Sequence, residues 1–212
     1  MFIALEGIDG SGKSTQTAML REYMKKCGRH VHETREPSDL RIGRMIRQYL
    51  TGELKADNRV IAALFVADRL EHILDAEQGL LKKRNDGYDI ITDRYYFSSY
   101  AYQSVDMPMD WIINANSAAA ELMKPDVTIF IDITPEAAMS RISANREGTE
   151  LFETTDRLRA TRDKYFEAFK KLRDSENVVI IDGSGDAETV HGLIVKTVEK
   201  FFEFSIYKQQ KI

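Results

Sequence analysis

The sequence predicts a three-layer α/β fold, a five-stranded parallel sheet covered by helices on both faces, and three observations predict it. Strand-like and helix-like segments alternate along all 212 residues. Two strand-like runs, residues 2–5 and 127–131, are almost continuously apolar, as strands buried on both faces are. The first leads through Glu6 into Gly7-Ile8-Asp9-Gly10-Ser11-Gly12-Lys13-Ser14-Thr15, which fits G-x-x-x-x-G-K-[ST] at every fixed position.

That loop has the chemistry of a phosphate site. Glycines at 7, 10 and 12 let the backbone take positive φ and bring N–H groups against anionic oxygens, while the following helix aims its positive end at the same point. Lys13 supplies a point charge for the β- and γ-phosphates, and the Ser14 hydroxyl a hard ligand for Mg²⁺. The helix carries Leu20, Tyr23, Met24 and Cys27 at helical spacing and stops at Gly28. Cys27 is therefore expected to be a buried structural thiol.

Further along, His30-Val31-His32-Glu33-Thr34 is a short strand that turns at Arg35-Glu36-Pro37-Ser38-Asp39. Ile42, Met45, Ile46 and Leu50 mark a helix closed by Thr51-Gly52. One long helix is expected over residues 58–83, a strand over 88–92 ending at Asp93, and helices over 98–103 and 110–123. After the strand at 127–131, Pro135 opens a helix that runs to about 145. A polar link at 146–150 leads to a charged helix over 152–173, a last strand over 178–181, a loop at 182–185 and a closing helix over 187–202. Ligands of parallel sheets sit at the carboxyl ends of the strands. The phosphate loop, residues 34–37, Asp93, Arg94, Asp132 and residues 182–185 all fall on that edge.

A hydrophobic content of 43% and a charged content of 30% describe an ordinary globule. The net charge of −4 gives no basic surface for nucleic acid or a membrane, so neither is expected as a partner. One cysteine excludes an internal disulfide and points to a reducing, cytoplasmic setting. No run is long enough to span a bilayer, and the N-terminal apolar run breaks at Glu6, which argues against a secretory signal. The four histidines, His30, His32, His72 and His191, are not set at metal-ligand spacing.

A phosphate loop alone leaves GTPases, ATPase motors and small-molecule kinases open. The guanine-reading Asn-Lys-x-Asp is missing, and the chain lacks the bulk of a motor. Asp93, at a strand end beside the loop, is placed like a Walker-B carboxylate that orients Mg²⁺ through Ser14 or water. Arg35, Arg69, Arg94, Arg141 and Arg146 gather near the phosphate edge.

At Asp93-Arg94-Tyr95, taken with Ser98 and Ala101-Tyr102-Gln103, the chain resembles thymidylate kinases. The likeness extends to Glu6-Gly7-Ile8-Asp9-Gly10, Thr34-Arg35-Glu36-Pro37 and Leu64-Phe65-x-Ala67-Asp68-Arg69. It continues through Pro125-Asp126-Val127, Asp132, Pro135-Glu136, Arg141, Arg146 and Phe152-Glu153, in family order over most of the chain. The resemblance implies a P-loop kinase fold, one domain over residues 1–212 with a short lid at about 141–153, and the Mg²⁺-assisted reaction ATP + dTMP → ADP + dTDP. It implies catalytic roles for Lys13, Arg94, Arg146 and Asp9, and a metal site at Ser14 and Asp93. The implied ATP site is Gly7, Asp9, Gly10, Ser11, Gly12, Lys13, Ser14, Thr15 and Arg141. The implied acceptor site is Asp9, Glu36, Pro37, Phe65, Arg69, Arg94, Ser98, Tyr102 and Gln103.

Phe65, Asp68, Arg69 and His72 share one helical stripe. On spacing alone that stripe reads more readily as core than as a ligand face; the resemblance makes Phe65 the base-stacking ring and Arg69 the donor to a base carbonyl. It also places the Tyr102 ring near C2′ of the acceptor sugar, implies a tight turn with a cis bond at Glu36-Pro37, and suggests a homodimer packed through helices. The chain departs from the family at Gly10 and Ser11, where some members carry a loop arginine, at Ser38-Asp39 in place of paired glycines, and at Ser104. Arg146 in the lid, with Arg141 before it, matches the alternative arrangement. Two other readings remain: a P-loop kinase for dUMP, CMP or a nucleoside, and a catalytically silent nucleotide-binding switch. The intact Lys13, Ser14, Asp93 and Arg94 speak against the switch.

Overall fold

The computed structural model describes residues 1–145 and 154–209. In them a five-stranded sheet is formed by β1 (Phe2–Glu6), β2 (Val31–Arg35), β3 (Asp89–Asp93), β4 (Val127–Asp132) and β5 (Val178–Asp182), in the order β2-β3-β1-β4-β5. Every pairing is parallel. The described helices are α1 (Lys13–Lys26), α2 (Arg41–Leu50), α3 (Asn58–Leu74), α4 (Leu80–Asn85), α5 (Tyr96–Tyr102), α6 (Met109–Ala115), α7 (Ser117–Leu122), α8 (Pro135–Asn145), α9 (Thr155–Leu172) and α10 (Ala187–Gln209).

β1 lies between β3 and β4, and all five of its residues are buried. Its side chains alternate between two cores, as the pleat requires. On one side Phe2 and Ala4 join Ile90 and Phe130 in an aromatic layer with Tyr95, Tyr96, Tyr165 and Phe169. On the other, Ile3 and Leu5 meet Ile91, Ile129, Leu20, Met24 and Ile194, an aliphatic layer under α1 and α10. The register sets Leu5 and Arg35 opposite Asp93, and Asp132 opposite Asp182. The carboxyl edge is therefore the chemically rich one, as the sequence implies.

Four sequence expectations need correction. The helix expected over 58–83 is two helices: Asp75 Oδ1 accepts the N–H groups of Glu77 at 3.0 Å and Gln78 at 2.8 Å, ending α3 in a side-chain-capped turn before α4. The helix expected over 110–123 breaks at Asn116, whose Nδ2 donates to Ile112 O at 2.9 Å while its Oδ1 accepts from Arg69. Cys27 is exposed. It sits just beyond α1 as the C-cap, so the stripe that buries Leu20 and Met24 ends one turn before it. The closing helix also runs to Gln209, past the expected 202.

The loop after β2 carries the cis bond expected at Glu36-Pro37. Arg47 of α2 holds that loop, donating to Pro37 O and Ser38 O, each at 2.8 Å. Gly43 of α2 packs directly on it: a Cβ there would meet Ser38 O at 2.0 Å and Ser38 N at 2.6 Å. Gly43→Ala should therefore destabilise the protein by about 1–3 kcal/mol through overpacking. The check is a urea midpoint lowered at unchanged slope; an unmoved midpoint would show that the loop yields freely.

Candidate active site

The phosphate loop joins β1 to α1, and Gly10 and Gly12 hold φ of +78° and +91°, a region open to glycine at little cost. At Gly10 a side chain is also excluded by space, since a Cβ would lie 2.5 Å from Ala138 O. α1 begins with no side-chain cap and no acidic residue in its first turn, so its N–H groups face the loop without a competing anion. Lys13 is buried and folds back to donate to Ile8 O at 2.9 Å and Ser11 Oγ at 3.4 Å. Burial, and then the Arg94 charge, push its pKa down to about 8. Ser14 Oγ donates to Asp93 Oδ2 at 2.5 Å, and Asp93 Oδ1 is buried with no protein partner.

Arg94 directly follows β3 and is the one non-glycine residue among those described with positive φ, +71°. That conformation costs on the order of 1–3 kcal/mol and persists only where the surroundings impose it. Here they do. The backbone N–H donates to Leu5 O at 2.9 Å; Nη1 donates to Gly7 O at 3.1 Å and Ser98 Oγ at 3.0 Å; Nη2 donates to Asp9 Oδ1 and to Tyr102 Oη at 3.2 Å. The guanidinium also lies over the Tyr102 ring, 4.9 Å from its centroid. Tyr102 Oη in turn accepts from Asp9 N–H at 3.0 Å and donates to Asp9 Oδ2 at 2.8 Å. Burial pushes the Asp9 carboxyl upward, but Arg94 and Lys13 outweigh it and hold Asp9 below the usual range.

Two clefts meet at this cluster. One is the mouth of the phosphate loop, lined by Gly12, Lys13, Ser14, Thr15, Asp93 and Arg141, the last anchored through Nη2 to Gly183 O at 3.0 Å. The other is an open and largely apolar cleft. Glu36, Pro37, Leu50, half-buried Phe65, Tyr102 and Gln103 form much of its wall. Asp9 and Arg94 line both clefts.

At the back of the second cleft Arg69 is 1% exposed and immobilised. Its Nε donates to Glu36 Oε2 at 2.8 Å, Nη2 lies 2.6 Å from the same oxygen, and Nη1 donates to Ser99 Oγ at 3.1 Å and to Asn116 Oδ1. His72 bridges Glu36 Oε1 at 3.1 Å and Thr34 Oγ1 at 2.8 Å. Ser38, a departure noted from the sequence, has a definite use: its N–H and hydroxyl both bind the Asp68 carboxylate, at 2.8 and 2.5 Å, tying the cis-proline loop to α3.

The structure thus gathers Asp9, Gly10, Gly12, Lys13, Ser14, Thr15, Asp93, Arg94 and Arg141 around one cleft and the implied acceptor residues around its neighbour; Ser11 lines an adjoining cleft, and the Gly7 carbonyl accepts from Arg94. Arg146, with Phe152 and Glu153, lies outside the described residues. Asp132 sits on the predicted edge but is bound by Arg162, Nε at 2.6 Å and Nη2 at 2.7 Å. Sequence reasoning gave no role to Glu6, Asn116 or Tyr165. Only Glu6 gave a signal: a carboxylate closing an apolar strand must find buried donors.

Residues 5–194 match the family model described as thymidylate kinase. A probable thymidylate kinase of Methanocaldococcus jannaschii is 36% identical over 197 residues, covering 92% of this chain and 94% of the relative. One from Pyrobaculum calidifontis is 37% identical over 201 residues, covering 94% and 96%. A thymidylate kinase of a Sulfurihydrogenibium species is 35% identical over 208 residues, covering 94% and 97%. With likeness of this extent joined to a phosphate loop, a strand-terminal Asp93-Arg94 and an adjoining apolar cleft, the chain belongs to the thymidylate kinase family of phosphotransferases.

Proposed function

We propose that the chain transfers the terminal phosphoryl group of ATP to the 5′-phosphate of dTMP, giving ADP and dTDP, as one domain with a short lid at about residues 141–153. The observation that carries this reading is the shared wall of Asp9 and Arg94 between the phosphate-loop cleft and the apolar cleft. A donor held in one and an acceptor in the other would meet there in line.

In this reading Gly7, Gly10, Ser11, Gly12, Ser14, Thr15 and the start of α1 hold the ATP phosphates, Arg141 covers the nucleotide from α8, and Lys13 neutralises the transferring group. Phe65 stacks the base. Four of the five Arg69 N–H groups face Glu36, Ser99 and Asn116, which leaves one Nη2 hydrogen for a base carbonyl. Glu36, Pro37, Ser98 and Gln103 complete the acceptor wall, and the fork of Arg94 suits a phosphate dianion. The acceptor oxygen needs no general base, because a phosphomonoester has a second pKa of ~6 and is largely dianionic at neutral pH. Catalysis reduces to alignment and charge neutralisation.

Ser14 and Asp93 fit a hard divalent cation: a hydroxyl and a carboxylate stand together, and the buried Asp93 Oδ1 lacks a protein partner. Mg²⁺ held there would neutralise phosphate charge. Val60 and Leu74 of α3 and Met45 of α2 are exposed apolar side chains that a homodimer packed through these helices would cover. The single cysteine supports a cytoplasmic setting. Among the described residues no helix is long and apolar enough to cross a membrane.

Lys13→Ala should cut kcat by orders of magnitude in a folded protein. In the wild type, kcat/KM for ATP reports the free enzyme, where Lys13 titrates at about 8. It should fall about tenfold per pH unit above that value, whereas kcat at saturating ATP should hold to higher pH because bound phosphates favour the ammonium. A kcat/KM that stays flat to about pH 9.5 would remove Lys13 from this role.

Tyr102→Ala should shrink the preference for dTMP over its ribo analogue. A 2′-hydroxyl desolvated against the ring costs roughly 1–3 kcal/mol, about five- to a hundred-and-fifty-fold in kcat/KM. Tyr102→Phe removes only the hydroxyl on Asp9 and Arg94, so it should weaken dTMP while keeping the ratio. An unchanged ratio in the alanine variant would assign the sugar reading elsewhere.

Arg146→Ala should lower kcat far more than it raises either KM, by up to the ~10³–10⁵ of an arginine finger. Arg141→Ala should act mainly on KM for ATP. A severe kcat loss from Arg141→Ala beside a silent Arg146→Ala would exchange the two roles.

A further inference from the structure

Glu6 closes β1 immediately before the phosphate loop and is fully buried, yet phosphoryl transfer as described makes no use of it. Its two oxygens face four protein donors. Oε1 accepts from the N–H groups of Tyr95 at 2.8 Å and Ser98 at 3.1 Å; Oε2 accepts from Ser98 Oγ at 2.6 Å and Tyr165 Oη at 2.8 Å. Ionised, the group accepts from all four; an amide in the same place would keep its oxygen on the two N–H groups and donate its nitrogen to Ser98 Oγ and Tyr165 Oη, reversing both hydroxyls. Burial pushes the Glu6 carboxyl upward from its ordinary value, against the opposing pull of Ser98, Arg94, Tyr165 and Tyr95. Ser98 Oγ donates to Glu6 at 2.6 Å and accepts from Arg94 Nη1 at 3.0 Å, so it links the two charged side chains. Gly7 O takes the same nitrogen at 3.1 Å, which leaves Nη2 on the side of Asp9 and Tyr102, where the two clefts join.

We infer that Glu6 is a positioning residue for the acceptor phosphate: through Ser98 it orients Arg94, and so sets how strongly the cleft distinguishes a nucleoside monophosphate from the bare nucleoside. This rests on the functional reading above, because it takes Arg94 as the group that meets the acceptor phosphate. Tyr165 joins the same carboxylate from α9, and its Oη lies 2.9 Å from Ser98 Oγ, so the array closes on itself.

The test is calorimetric titration of the full chain with dTMP and with thymidine. In Glu6→Gln, dTMP affinity should fall tenfold or more while thymidine affinity stays within twofold, and KM for ATP should hardly move. Tyr165→Phe removes a hydroxyl from the same carboxyl without altering the cleft wall and should lower the same ratio, which keeps the test decisive if Glu6→Gln does not fold. In an Arg94→Ala background, Glu6→Gln should change the ratio no further. A wild type that binds the two ligands equally would sink the functional reading itself. A wild type that prefers dTMP, with a ratio preserved in the folded variants or with both ligands weakened equally, would overturn the positioning role and leave Glu6 a structural carboxylate.

Discussion

Everything at the carboxyl edge depends on keeping the Arg94 cation partly out of water between β1 and α5. Taking a guanidinium from water costs several kcal/mol unless its donors are matched. The match is supplied by Gly7 O, Ser98, Asp9 and the Tyr102 hydroxyl and ring. The left-handed φ of Arg94 is the backbone consequence, because the side chain must turn back over the phosphate loop directly after its strand. A buried pair such as Asp9 with Arg94 is a poor source of stability. Its value lies in fixing where a charge sits before a ligand arrives, which electrostatic catalysis requires.

The two faces of the sheet divide the work. Under α1 and α10 the core is aliphatic and carries little polar function. Under α5 and α9 it is aromatic, and its tyrosines place hydroxyls as well as rings: Tyr95 Oη donates to Met123 O, Tyr96 Oη to Glu176, and Tyr165 Oη to Glu6, each at 2.8 Å. A buried tyrosine needs such a partner. Each therefore pins a helix by a directional bond in addition to packing, and the acceptor cleft is built on that side.

The acceptor cleft follows the same logic at its far end. Glu36 orients Arg69 and is itself held by His72, while Asp68 secures the neighbouring loop through Ser38. The hydroxyl and N–H of Ser38 make the contact that holds the turn against α3. The breaks that divide the helices at Asn116 and Asp75 serve comparable ends: Asn116 gives up helical regularity and gains a bond to Arg69, and Asp75 lets the chain reverse into α4.

The parallel sheet, the phosphate loop and the edge that carries function were legible in the sequence, because each leaves a local mark. Buried strands read as apolar runs, the loop needs glycine at fixed spacing, and Asp93-Arg94 falls at a strand end. The residues around both clefts were legible through family motifs. What the tertiary structure alone decided is which side chains share a proton or a charge. Glu6 and Tyr165 stand 159 positions apart, Arg69 and Asn116 stand 47 apart, and neither pair leaves any periodicity in the chain. Exposure of Cys27 was decided in the same way, by where α1 ends. Strand and helix patterns record how each segment meets solvent or core, a local and repeating constraint. A hydrogen bond between distant segments depends on one relative placement of elements, and that placement exists only in the folded chain.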